Sequence, residues 1–223
     1  MTVAAIQAVV FDFDGLILET ETPALQSWAE IYKEHGHEVP MEKWHGYLGA
    51  DRGFEPVDHL AALVGEGLDR VATQERRDRR KNELIAALDL MDGVRDYIAD
   101  ARRLGLRLGV ASSSSRKWVV GHLERLGIHA FWDAVVTRDD VVRTKPSPDL
   151  YELVVRRLGV PASSAVALED SPNGIAAAKE AGLYCVAVPN DLTRDLDVSR
   201  ADVRLGSLAE VPLDELLRRL TQG

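Results

Sequence analysis

The chain has 223 residues, enough to bury one sizeable core with material left for a small second module. An apolar fraction of 46% and a charged fraction of 28% are those of an ordinary soluble globular protein. A net charge of −9 argues against general nucleic-acid binding, which needs a basic face.

From the N-terminus, 8–13 reads as a first strand: short, apolar and without helical spacing. The interval 19–88 then carries no convincing strand. Helical patterns run through 25–32, 57–63 and 74–88, punctuated by Pro40, Gly46, Gly49, Gly53, Gly65 and Gly67. The one basic cluster, 76–81, reads as a solvated helix face. Beyond it, strands at 107–111, 134–137, 165–168 and 183–188, with a short sixth at 203–205, alternate with helices at 94–104, 116–126 and 148–158. Val94, Tyr97, Ile98, Ala101 and Leu104 make one apolar stripe; Val119, Val120, Leu123 and Leu126 make another. The third helix opens at Pro148 and stops at Gly159.

This alternation is the signature of an α/β fold: a Rossmann-like parallel-sheet core with a small α-helical domain inserted after the first strand. The core is expected over 1–18 and 89–223, the insertion over 19–88. An insertion at that point sits above the C-terminal end of the first strand, where open parallel sheets bind ligands. It reads as a cap over a site or, alternatively, as a subdomain that only adds stability. Cys185, alone in an apolar run, reads as a buried small hydrophobe, and a chain with one cysteine forms no internal disulfide. No segment resembles a signal peptide or reaches membrane-spanning length, so a cytoplasmic protein with no membrane partner is expected.

Four short stretches carry the chemistry. Asp12 and Asp14, two apart at a strand end, point the same way, and Gly15 lets the backbone turn after them. Two acids in an apolar segment suit a bound cation, or else a solvated strand end. Ser112 follows the second strand and precedes a helix. Its hydroxyl and the N–H groups after it could hold phosphate oxygens or simply cap the helix. Lys145, in a proline-bounded loop, could neutralise a phosphate or lie in solvent. Glu169 and Asp170 end a strand with hard oxygen ligands suited to magnesium, or form an exposed acidic turn.

Taken in order, the four resemble the haloacid dehalogenase superfamily, in its branch of small phosphatases and β-phosphoglucomutase-like enzymes. The resemblance spans nearly the whole chain. It is carried by Val9-Val10-Phe11-Asp12-Phe13-Asp14-Gly15, Val110-Ala111-Ser112-Ser113-Ser114, Thr144-Lys145-Pro146-Ser147-Pro148-Asp149 and Leu168-Glu169-Asp170-Ser171-Pro172-Asn173-Gly174. It implies that Asp12 is a nucleophile that becomes an aspartyl-phosphate and that Asp14 is the general acid–base. Ser112 and Lys145 would hold the phosphoryl group with backbone help from Ser113 and Asp14. Mg²⁺ would be bound by Asp12, the Asp14 backbone carbonyl, Asp170 and, directly or through water, Glu169. In the cap, Arg52 and Lys81 resemble substrate-binding cations, or are surface charges.

Two positions depart from the family pattern. Glu19 stands where many relatives have Asp. Ala24 stands where the mutase and many relatives carry a histidine near the general acid. The resemblance thus implies a Mg²⁺-dependent phosphatase, monomeric, acting on a small phosphorylated metabolite such as a sugar phosphate. A β-phosphoglucomutase-type mutase is the alternative. A non-catalytic phospho-metabolite sensor would normally have lost Asp12, Asp14 or Lys145, and a dehalogenase lacks the second acid that Asp14 supplies.

Overall fold

The first apolar run forms β1 (Ala8–Phe11), with every residue buried. A computed structural model describes residues 5–48 and 53–222 of the chain. β2 (Arg107–Ala111), β3 (Ala134–Val136), β4 (Ala165–Glu169), β5 (Tyr184–Ala187) and β6 (Val203–Arg204) join β1 in one parallel sheet of order β3-β2-β1-β4-β5-β6. β1 is central: Phe11 stands opposite Val110 on one side and Leu168 on the other. The ends of β1, β2 and β4, each of which leads into a motif, therefore lie side by side.

Alternation along the strands supplies two apolar layers. Val9, Phe11, Leu108, Val110, Val166 and Leu168 share one cluster with α5 (Val94–Arg103), α6 (Arg116–Arg125) and α9 (Leu213–Gln222). Ala8, Val10, Ala111, Ala165, Ala167 and Cys185 face the other way, onto α7 (Asp149–Leu158) and α8 (Pro172–Glu180). Small side chains predominate on that second face, so α7 lies close. A Cβ on Gly109 would meet Val154 Cγ2 at 2.8 Å.

Between β1 and β2 lie α1 (Glu21–Glu34), α2 (Met41–Tyr47), α3 (Pro56–Val64) and α4 (Arg70–Ala86). No strand occurs there among the described residues. Trp28, Ile31, Tyr32, Trp44, Leu48, Phe54 and Leu60 form a third, separate apolar cluster. The basic run on α4 does more than face solvent. Arg80 donates to both carboxylate oxygens of Glu30 on α1 (2.8 and 3.1 Å), Arg76 pairs with Glu34, and Arg77 lies over the Trp28 ring, 5.4 Å from its centroid.

Two isolated bridges tie together the segments that enter and leave this helical block. Leu18 pairs with Asp14 and, in antiparallel sense, with Leu90. Among the described residues, no helix is long and apolar enough to cross a membrane.

Candidate active site

β1 leaves the ladder after Phe11, two residues earlier than the expected strand, and Asp12 to Asp14 curl over the sheet's C-terminal edge. Asp12 keeps one tie, donating its N–H to Leu168 O at 3.0 Å. The turn needs Gly15, whose φ is +82°. A Cβ there would stand 2.4 Å from Asp170 Oδ2 and 2.6 Å from Asn190 Nδ2.

Beneath this turn lies a buried charged cluster. Lys145, only 2% exposed, pairs with Asp12 and with Glu169 Oε1 at 2.6 Å. Glu169 is fully enclosed. Tyr151 of α7 donates to Oε1, and a Cβ on Gly174 would sit 1.9 Å from Oε2. Asp170 accepts from Asn190 Nδ2 at 2.7 Å through Oδ2, while its Oδ1 is buried without a hydrogen-bond partner among the described residues.

One oxygen from each of Asp12, Glu169 and Asp170 lies within 4.8 Å of the others. Three buried carboxylates against one ammonium leave two negative charges uncompensated, which is costly away from water. Burial pushes Asp12 up to about 8; Lys145 opposes that rise, and Glu169 and Asp14 add to it. Burial, with Asp12 and Glu169 beside it, also raises Asp170 well above the ordinary carboxylate range. For Lys145, burial alone would lower the pKa, but Asp12 and Glu169 outweigh it and hold it above the ordinary value. The orphaned Asp170 Oδ1, the hard oxygen donors and the surplus of two negative charges all fit a divalent cation.

Asp14 is held differently, by hydrogen bonds and not by a cation. Oδ1 accepts from Thr20 Oγ1 and Trp118 Nε1, both at 2.9 Å. Oδ2 accepts from Ser114 Oγ at 2.6 Å and Ser112 Oγ at 3.2 Å. The serine run divides its labour. Ser115 is the N-cap of α6, accepting from Trp118 N, which leaves Ser112 and Ser114 free to turn towards Asp14.

Asp12 and Asp14 line a cavity of about 460 Å³ between the sheet edge and the helical block. Ser113, Trp118 and Arg138 contribute from the sheet side; Thr20, Glu21, Ala24, Arg77 and Lys81 contribute from the helices. Lys81 reaches across to lie 4.1 Å from the Trp118 ring centroid. Desolvation lowers its pKa and Arg77 lowers it further, against the pull of Asp14 and Asp78. Arg52 lies outside the described residues.

The structure thus gathers Asp12, Asp14, Ser112, Ser113, Lys145, Glu169, Asp170 and Lys81 at one end of the sheet. It adds residues that lie outside the quoted motifs, Thr20, Trp118, Tyr151 and Asn190, and gives a part to Ser114, which the motif contains without a role. For Trp118 a signal exists, because a large aromatic lies off the apolar stripe of its helix. For Tyr151 there is none, since it reads as one more core residue of α7.

A family model for haloacid dehalogenase-like hydrolases matches residues 6–182. YhcW of Bacillus subtilis is 41% identical over 96% of this chain and 98% of its own length. Validoxylamine A 7′-phosphate phosphatase of Streptomyces hygroscopicus is 30% identical over 92% of this chain and 95% of its own. Among solved structures, CbbY from Rhodobacter sphaeroides, in complex with phosphate, superposes with a TM-score of 0.74 at 35% identity. That match covers 92% of this chain and 96% of CbbY.

Proposed function

Because the chain belongs to the haloacid dehalogenase-like hydrolases, we propose that it is a Mg²⁺-dependent phosphatase of small phosphorylated metabolites, sugar phosphates foremost. The observation that carries this reading is the pairing of unlike acids on one cavity wall. Asp12 lies in a buried ion pair, and Asp14 two residues on is held by four neutral donors.

Each acid has its task. Asp12 attacks phosphorus, forming an O–P bond as the bond to the leaving oxygen breaks, and that oxygen takes the proton held by Asp14. Asp14 then accepts a proton from water. The water oxygen attacks phosphorus, inorganic phosphate departs and the Asp12 carboxylate returns. Lys145 and Ser112, with the Ser113 N–H, hold the phosphoryl oxygens. Asp12, Glu169, Asp170 and the Asp14 carbonyl would hold Mg²⁺. When bound, the cation supplies positive charge against the phosphoryl oxygens and the attacking carboxylate.

Residues 19–88 act as the cap, with Lys81 on the cavity wall as a substrate contact; Arg52 joins it on resemblance alone. The cavity is lined mostly by polar side chains, which suits a hydroxylated substrate. Ala24 lines that wall at the position where the mutase carries a histidine, which favours hydrolysis over phosphoryl return to a second sugar.

The test is release of inorganic phosphate from a panel of sugar phosphates by the purified protein with Mg²⁺. Release that stops on chelation, returns with Mg²⁺ and is lost in Asp12→Asn is the expected result. No release from any ester of the panel would overturn the reading.

A further inference from the structure

Asp14 has donors of two kinds. Thr20, Ser112 and Ser114 offer hydroxyls, which can give or take a hydrogen bond, whereas the Trp118 indole N–H can only give one. The indole therefore keeps Oδ1 an acceptor whether or not Asp14 carries a proton. Oδ2, bounded by two serine hydroxyls able to accept, is left as the oxygen on which a proton can sit. Oδ2 is also the oxygen beside Ser112.

The indole ring is itself held in place. His122, one turn along α6, meets it edge to face at 4.3 Å, and Lys81 of α4 seats its ammonium on it. Thus α6 supplies the donor, and the helical block secures the ring that carries it.

We propose that Trp118 is a positioning residue for proton transfer: its N–H fixes the orientation of the Asp14 carboxylate so that Oδ2 faces the leaving group. This rests on the reading of Asp14 as the general acid.

The experiment compares two aryl esters, p-nitrophenyl phosphate and phenyl phosphate, in Mg²⁺ with the full-length wild type and Trp118→Phe. Phenolate is the more basic leaving group and needs the proton more. Phenylalanine removes the donor while keeping an aromatic face towards His122 and Lys81. Expected is a fall in kcat of about 10- to 100-fold for phenyl phosphate, part of the 10²–10⁴ that general acid catalysis supplies. For p-nitrophenyl phosphate the change should stay within about twofold, and KM should hold for both. Trp118→His, which restores a ring N–H, should recover part of the phenyl phosphate rate. Where the phenylalanine variant does not fold, Trp118→Met, equally without a donor, gives the same comparison.

Equal losses on both esters, a change in KM alone, or no loss would each overturn the positioning role. A wild type that releases phosphate from neither ester would instead remove the phosphatase reading, and the proposal with it.

Discussion

The Tyr151 hydroxyl donates to Glu169 Oε1 at 2.5 Å, on the same oxygen that faces Lys145 Nζ at 2.6 Å. A core tyrosine from α7 thus orients a carboxylate of the acidic cluster from below. Tyr151→Phe keeps the ring and removes the donor. Loss of such outer partners costs about 10- to 100-fold in metal affinity or activity. The Mg²⁺ concentration for half-maximal phosphate release should rise about tenfold, with kcat at saturating Mg²⁺ close to wild type. An unchanged Mg²⁺ titration would mean that Lys145 and Ser171 suffice to orient Glu169.

Gly174 presses on Glu169 from the opposite side. Alanine there places a methyl carbon 1.9 Å from Oε2, so the Glu169 carboxylate, tied to Tyr151 and Lys145, must give way. Gly174→Ala should destabilise the fold by about 1–3 kcal/mol, as overpacking does, and shift Glu169. Thermal melting and a Mg²⁺ titration read the two effects separately. A variant with wild-type values in both would show that the carboxylate has room to move.

The two central acids should fail in different ways. On the proposed mechanism, Asp12→Asn should remove the nucleophile and with it any covalent phospho-enzyme. Asp14→Asn should remove the proposed proton donor, a loss of about 10²–10⁴ in rate that matters least for nitrophenolate. Intact-mass detection of a phosphorylated chain, with rates on p-nitrophenyl and alkyl phosphates, distinguishes them. Wild-type turnover in Asp12→Asn would refute the nucleophile assignment.

Burial raises Asp12 from 3.8 to about 8 in the folded, metal-free protein. Between those values the folded state holds a proton that the unfolded chain has lost. The group's contribution to stability therefore falls as pH rises through the window. Mg²⁺ must displace that proton, so its binding should strengthen over the same range. The rise in Tm on adding Mg²⁺ to chelator-stripped protein should grow between about pH 5 and about pH 8. A shift independent of pH would contradict this.

Hydrolysis and mutase chemistry differ only in what takes the phosphoryl group from Asp12. With β-glucose 1-phosphate and a bisphosphate primer, inorganic phosphate should appear faster than glucose 6-phosphate, followed in one reaction. Rapid isomerisation with negligible phosphate would promote the mutase.

All the motif residues but Lys145 were legible because they follow a short apolar run, and a central parallel sheet brings such run-ends together. Asp12, Ser112 and Glu169 needed only that rule. Lys145 did not follow from it: its loop gives no sign that the ammonium is 2% exposed. α2 was hidden by Pro40 before it and Gly46 within it, which read as punctuation. Asn190 sits in an irregular segment after β5 with no periodicity to mark it, although it ties Gly15 O to Asp170. The basic run at 76–81 showed its charge but not its partners, because Glu30 and Glu34 belong to another helix.

The paired bridges of Leu18, to Asp14 and to Leu90, have a mechanical meaning. The chain enters and leaves the helical block at one stitched point, four residues from Asp14. Any swing of α1–α4 has its fulcrum there. A lever hinged beside its workpiece moves its far end widely and its near end hardly at all. Lys81, on the Trp118 ring that donates to Asp14, belongs to the near end and keeps its register with the carboxylates.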